Sequence, residues 1–254
     1  MTREQKIKTL KLLEEYDTRV RYNKLDTMFP KDGPLAYYNY PKHMKFFAAG
    51  KDFTERAMIA ANRAGKSQAC GYELVLHLTG LYPDWWAGRR FYDPISAWAV
   101  GDTNETTRDI IQTEVLLGSP RDIGTGLIPK HLLVDDLGNF TTTRKAGAGQ
   151  DFIRDIYVKH VSGGLSSCTL KTYEQGRHAF QGTAKQVIWL DEECPQDVYS
   201  ECLTRTMTVN GIIMLSFTPL KGLTPLVLSF LPGGMFPRTP DHCGPVEVVN
   251  NVSY

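Results

Sequence analysis

The run RAMIAANRAGKSQ, residues 56–68, leaves this chain few folds to choose from. Its apolar half has the length and composition of a short buried strand. Its second half closes in Gly65-Lys66-Ser67, the end of the pattern G-x-x-x-x-G-K-[ST]. A loop of that kind needs a strand behind it and a helix in front, because it holds phosphate on backbone N–H groups at a helix N-terminus. The first glycine of the pattern would fall at position 60, where the chain has Ala60. That position lies near the end of the strand, where an alanine fits if the entry turn differs slightly, and the binding amides belong mainly to residues 63–67. The departure reads as a variant of the loop, not its loss. Lys66 is placed to neutralise β- and γ-phosphate oxygens and the Ser67 hydroxyl to ligate Mg²⁺. Ala61, Asn62, Arg63, Ala64, Gly65 and Gln68 complete the candidate ATP-binding stretch.

A phosphate loop also requires an acid at the end of another core strand, and an ATPase needs a base beside it. QVIWLDEE, residues 186–193, supplies both: Asp191 for the metal and Glu192 for the attacking water. GIIMLSFTP (211–219) is a further apolar strand whose end carries Ser216-Phe217-Thr218-Pro219. Hydroxyls there can lie beside the γ-phosphate and sense it, and a plain strand-ending turn is the alternative. Arg63 can reach phosphate oxygens or Glu192, or simply face solvent.

The rest of the chain supports the same architecture. A helix is expected from about Ser67 to Leu78, a strand at ISAWAVG (95–101), and a helix from NETTRDIIQTEVLL with Thr103 or Asn104 as its N-cap. FIRDIYVKH and SSCTLKTY alternate and read as paired strands, and a helix follows the acids to about Met207. Strands alternating with helices predict an α/β, ASCE-type P-loop NTPase with a mostly parallel sheet covered on both faces. Residues 3–24 predict an amphipathic helix with Ile7, Leu10, Leu13, Tyr16 and Val20 at helical spacing, either packed on the core or serving as a lid or partner-binding arm. The expected division is therefore an arm over 1–30 and the ATPase domain over 31–254. Residues 118–150, rich in Gly, Thr and Asp, are not ordered by their pattern.

Composition narrows the partners. The formal net charge is +1, so any nucleic-acid contact must come from a local patch such as Arg89 and Arg90. Five cysteines, none in C-x-x-C, read as a reduced cytosolic protein without a disulfide frame or zinc site, and the six scattered histidines argue against a transition-metal centre. No apolar run approaches the roughly 18 residues a membrane helix needs, and the charged start is not a signal peptide. The expectation is a soluble, intracellular protein.

With these residues in place the chain resembles the ATPase domain of the large terminase subunit, the DNA-packaging motor of tailed bacteriophages, from about Tyr40 to Pro225. YPKHMKFFAAGKDFTERAMIAANRAGKS is similar to the family's adenine-binding segment running into its deviant phosphate loop. HLTGLYPDWWAGRRF and GDTNETTRD resemble segments on either side of the second strand. YEQGRHAFQGTAKQVIWLDEECP followed by LTRT resembles the run through the Mg²⁺ acid, and SFTP its coupling motif. The resemblance implies that Lys66 and Ser67 bind phosphate and Mg²⁺, Asp191 holds the metal, Glu192 is the base and Thr218 couples hydrolysis to movement. His43 stands where the adenine-binding segment usually carries glutamine. Gln181 stands where some relatives carry an arginine that reaches a neighbouring subunit, which makes Arg177 the candidate for that task and Arg205 the reserve.

The implied cofactors are ATP and Mg²⁺. The implied partners are double-stranded DNA, the portal protein, the small terminase subunit and further copies of the chain, in a pentameric ring on the procapsid. The protein is expected to be monomeric in isolation, in the host cytoplasm and absent from the mature virion. The family's C-terminal nuclease, with its acidic metal cluster, is not expected in this chain. A P-loop helicase or other nucleic-acid translocase is the nearest competing enzyme; Glu192 beside Asp191 argues against a passive nucleotide-gated DNA-binding module, and no acceptor site suggests a small-molecule kinase.

Overall fold

The computed structural model of the chain describes residues 2–138 and 152–231. Within them lie α1 (Arg3–Tyr22), α2 (Lys24–Thr27), α3 (Pro41–Ala49), β1 (Glu55–Ile59), α4 (Lys66–Thr79), β2 (Ser96–Gly101) and α5 (Asn104–Thr106). They are followed by β3 (Leu133–Val134), β4 (Asp155–Lys159), β5 (Leu165–Thr172), β6 (Val187–Asp191), α6 (Gln196–Met207), β7 (Ile212–Phe217) and α7 (Pro225–Ser229). The sheet order is β1-β7-β6-β2-β5-β4-β3. The first five strands run parallel, while β4 is antiparallel to β5 and β3 to β4. The insertion of β7 between β1 and β6 is what an ASCE-type P-loop NTPase requires.

Why both faces are covered follows from the strands themselves. Neighbouring residues of β2, β6 and β7 belong alternately to two apolar clusters. Ala97, Ala99, Val187, Trp189, Ile212 and Met214 pack with α4, and Trp98, Val100, Ile188, Leu190, Ile213 and Leu215 pack with α6 and α7. A strand apolar at every position can only be central. Close approach of α4 to the segment after α5 needs Gly71, since a Cβ there would lie 2.2 Å from Val115 Cγ1.

Ile7, Leu10, Leu13, Tyr16 and Val20 are exposed, so of the two readings of the first helix, packed on the core or an arm, core packing is the one that fails. Its C-terminal end is anchored: Tyr22 Oη donates to Asp122 Oδ1 (2.8 Å), Arg21 pairs with the same carboxylate, and Lys130 lies over the Tyr22 ring. The packing also crosses residue 30, because Leu25 and Phe29 belong to the main core. The helix beginning at Asn104 has the Thr103 cap but continues as a π-helix, Thr107–Leu117. Of the unordered stretch 118–150, residues 118–138 form turns and β3, and 139–150 lie outside the described residues, as do Cys243 and the end of the expected domain from 232.

A buried polar chain joins β1, α3 and α4 behind the phosphate loop. Arg56 donates to both carboxylate oxygens of Glu73 (2.6 and 3.1 Å) and to the Phe46 carbonyl (2.7 Å). His77 Nε2 meets Glu73 Oε1 at 3.2 Å, and its Nδ1 meets the Tyr82 hydroxyl, which accepts from the Phe91 amide. That network assigns the His77 proton to Nε2. Burial holds His77 below its ordinary pKa, partly offset by Glu73. Burial pushes Glu73 up, but Arg56 and His77 outweigh it, and its pKa falls below the usual value. Both shifts act with the same sign. As pH falls through the ordinary histidine range the unfolded chain takes up a proton that folded His77 refuses, and at lower pH the same holds for Glu73. The His77 contribution should therefore fade from about pH 6.5 downward, read as the difference between the thermal-unfolding profiles of wild type and His77→Gln, which holds the opposing shift of Asp191 constant. An unchanged profile would contradict this.

Candidate active site

The end of β1 turns into the loop through two left-handed residues, Arg63 (φ 64°) and Gly65 (φ 79°), and α4 begins at Lys66. Ala60 still pairs with β7 through its N–H to the Phe217 carbonyl (3.4 Å), so the non-glycine position is simply the last step of the strand. Ala61, Asn62, Arg63 and Ala64 are exposed around the loop. Lys66 Nζ donates to the Ala61 carbonyl and to Thr218 Oγ1, each at 2.9 Å. Thr218 Oγ1 also lies 2.9 Å from the Ala60 carbonyl and 2.8 Å from Asn62 Oδ1. Its one proton can serve only one of these acceptors at a time, so the hydroxyl can swap partners with little motion.

The metal side is equally compact. Ser67 Oγ donates to Asp191 Oδ1 at 2.9 Å, and Ser216 Oγ donates to the same oxygen at 2.5 Å. Trp189 Nε1 donates to Ser216 Oγ at 2.7 Å, completing a chain from the core to the carboxylate. Tyr173 Oη donates to the Asp191 carbonyl at 3.0 Å. Burial raises the Asp191 pKa to about 6 despite the two hydroxyls. The buried carboxylate of Asp191 and the adjacent Ser67 hydroxyl are a pair of hard oxygen donors that fits Mg²⁺. Neither Trp189 nor Tyr173 stands out in the sequence, although the period of 2 does place Trp189 on the same side of β6 as Asp191.

Glu192 is exposed, with a left-handed backbone (φ 65°) pinned by its N–H to the Ser216 carbonyl (2.8 Å). That turn separates it from Glu193, which accepts from the N-cap residue Thr224 of α7. His43, on α3, lies against the loop. Burial lowers its pKa, and bonds to the Gly65 and Ala64 backbone partly compensate. Phe29 and Tyr40 flank its ring at 5.9 and 5.7 Å. Gln68 has a buried side-chain oxygen without a protein partner.

Loop, acid and hydroxyls thus converge as the sequence spacing predicts, with His43 beside them. Arg177 and Arg205 are instead drawn to one carboxylate. Arg177 Nε is 3.1 Å from Glu201 Oε2, and Arg205 Nη2 is 3.0 Å from Glu201 Oε1. Gln181 follows the short turn that carries Arg177. Arg89 and Arg90 lie over Phe91 and Tyr82, and Arg90 also donates to the Trp86 carbonyl, so packing engages the most conspicuous basic pair of the sequence.

Residues 57–238 match the family described as terminase large subunit, T4likevirus-type, N-terminal. The large terminase subunit of Salmonella phage P22 is 34% identical over 248 residues, covering 90% of this chain and 46% of that protein. The chain thus spans about half the length of the curated relative it matches. Among solved structures, the Thermus phage P74-26 large terminase ATPase domain is 14% identical, with 72% of this chain and 67% of that one covered and a TM-score of 0.42. A large terminase from a thermophilic bacteriophage, in complex with ADP, is 14% identical over 69% of this chain and 38% of that one, with a TM-score of 0.44.

Proposed function

The chain belongs to the terminase large-subunit family, and from that premise we propose that it is the ATPase motor part of a viral DNA-packaging machine. It binds Mg·ATP between β1 and β6 and hydrolyses it to move double-stranded DNA into a procapsid. The observation that carries this reading is the contact of Lys66 with Thr218 on one side and of Ser67 with Asp191 on the other. Lys66 reads phosphate charge and Ser67 holds the metal, and their partners Thr218 and Asp191 lie at the ends of β7 and β6.

Lys66 and the loop amides hold the phosphates, with Ser67 and Asp191 as the ligands for Mg²⁺. When bound, the ion neutralises charge on the β- and γ-phosphates. Glu192 orients the attacking water and takes its proton, which its exposed position at the mouth of the site permits. Arg63, on the exposed rim of the loop, reaches the phosphate oxygens. His43 presents a ring nitrogen to the adenine, and Ala61, Asn62, Ala64, Gly65 and Gln68 form the wall. Thr218 passes the change at Lys66 to β7. The portal protein, the small subunit and further copies of the chain in a ring are the partners, in the host cytoplasm. Because a monomer lacks the neighbour's arginine, purified chain should hydrolyse ATP only slowly, with a requirement for Mg²⁺ and for Lys66; phosphate release that survives Mg²⁺ removal or Lys66→Ala, or an absence of Mg·ATP binding, would sink the reading.

Arg177 is the group we assign to the neighbouring subunit's site. Its side chain remains 54% exposed beside Glu201, so it is accessible to a second copy. An arginine at the γ-phosphate contributes about 10³–10⁵ in rate. Arg177→Ala subunits mixed with Lys66→Ala subunits under packaging conditions should recover part of the lost activity, because the Lys66→Ala copy lends an intact Arg177. If Arg177→Ala folds and binds ATP yet mixing restores nothing, the arginine only braces its own helix.

A further inference from the structure

Among the described residues, the half of the sheet farthest from the phosphate loop is covered by an apolar cluster on one face only. Ile156, Val158, Cys168 and Leu170 pack into the main core. The opposite cluster takes in residues of β2, β6 and β7 but none of β4 or β5. The register shows what this second face carries. Asp155 pairs with Thr169, Tyr157 with Ser167 and Lys159 with Leu165, so these side chains share one side together with Lys171. Across the parallel junction, Ser96 stands beside Ser167 and Trp98 beside Thr169. Along β5 the burial alternates strictly, with Leu165, Ser167, Thr169 and Lys171 half-exposed. The surface is built of hydroxyls and cations.

Its charge is not balanced. Lys171 and Lys185 flank the Trp98 ring at 4.9 and 5.5 Å. Lys185 Nζ donates to Ser96 Oγ and Lys171 Nζ to the Ala179 carbonyl, which leaves further N–H donors on each ammonium. Lys159 is exposed, and Arg154, 72% exposed, lies 3.5 Å from Asp155. Among the described residues four cations thus face one carboxylate, Lys185 from a buried position (7% exposed) and the other three from more open ones, in a chain whose total charge is +1. Burial, then Arg154 and Lys185, lower the Lys171 pKa, so the cations of this group repel one another. An anion relieves that repulsion.

We propose that the open face of β4 and β5, with Arg154, Lys159 and Lys171 at its surface and Lys185 buried beside the Trp98 ring, is a contact surface for the phosphate backbone of duplex DNA. The inference rests on the motor reading for its choice of polyanion. From the Lys171 row to the Lys159 row is six residues, about 20 Å at the rise of an antiparallel strand. That length faces about six phosphates of one strand. Hydroxyls and ammoniums donate to phosphate oxygens without reading bases, so the contact carries no sequence preference. A processive translocase needs that property.

The test is duplex binding by the whole chain, followed by anisotropy of a short labelled duplex across a salt series. Wild type should bind weakly, without sequence preference and with a steep slope. Lys159→Ala should reduce the slope of log K against log salt by about 0.9. The double variant Arg154→Glu/Lys159→Glu should lose roughly tenfold or more at fixed low salt, while ATP hydrolysis measured without DNA stays at the wild-type rate. Lys8→Glu/Lys11→Glu makes the same change of net charge on exposed α1 and serves as the control. Unaltered affinity and slope in the β4 double variant would overturn the proposal, as would an equal loss in the α1 control. Absence of Mg·ATP binding in the wild type would strike the motor reading alone, since the DNA-binding comparison does not depend on it.

Discussion

Lys66→Ala should lose nucleotide binding, whereas Glu192→Gln should keep it and lose turnover. Lys66 is 8% exposed, and among the described residues its ammonium donates to two neutral oxygens, those of Ala61 and Thr218. Phosphate oxygens replace those partners with charge-assisted bonds of about 1.5–3 kcal/mol each. Losing two of them weakens binding by about 100-fold or more. Glu192 is exposed and touches no group that holds the ground-state nucleotide in place, so its work lies in the transition state. Replacing a positioned base costs about 10²–10⁴ in rate. Equilibrium binding of a fluorescent ATP analogue beside single-turnover phosphate release separates the two effects. Equal loss of affinity in both variants would refute the division.

The second large effect is on stability. Arg56→Ala should destabilise the fold by about 3–5 kcal/mol, because it strands the Glu73 carboxylate in the interior. Neither side chain of the pair exceeds 1% exposure, and Arg56 also satisfies the Phe46 carbonyl. At about 2–4 °C per kcal/mol for a chain of this size, the melting temperature should drop by roughly 6–20 °C. Arg56→Met/Glu73→Leu should recover part of the loss, since a buried pair often costs as much to desolvate as it returns, while the Phe46 carbonyl and the His77 N–H, left without their partners, keep it below wild type. If the single variant melts within a degree or two of wild type, or the double variant is no better than the single one, this account of the β1–α4 junction fails. The junction matters to the site because α4 carries Lys66 and Ser67 at its first turn.

Local patterns determined a large part of this protein. Continuous apolar runs marked β2, β6 and β7 as central strands, because only strands buried on both faces tolerate such runs. The Gly-Lys-Ser triplet marked the turn from β1 into α4, and the acids after VIWL marked the end of β6. Thr103 and its partner Thr106 declared the start of a helix, since capping is a contact over three residues. In each case the cause lies within a few positions of the effect.

Other features depend on what the chain meets after folding. The apolar residues of α1 read the same whether they cover this core or face solvent, and only the packing showed them exposed. Arg56 looks like a surface charge in an apolar strand until Glu73 and the Phe46 carbonyl are brought around it. A π-helix uses the residues of an α-helix with a different bond partner, so Thr107–Leu117 left no separate mark in the pattern. Arg177 and Arg205 could be weighed by their distance from Asp191 along the chain, but their common attraction to Glu201 arises only when α6 packs beside the turn before β6. The contact of Thr218 with Lys66 depends on the order of strands in the sheet, which chain order does not carry. Periodicity and capping are short-range consequences of backbone geometry; the pairing of distant polar groups is decided by which elements the burial of the core brings together.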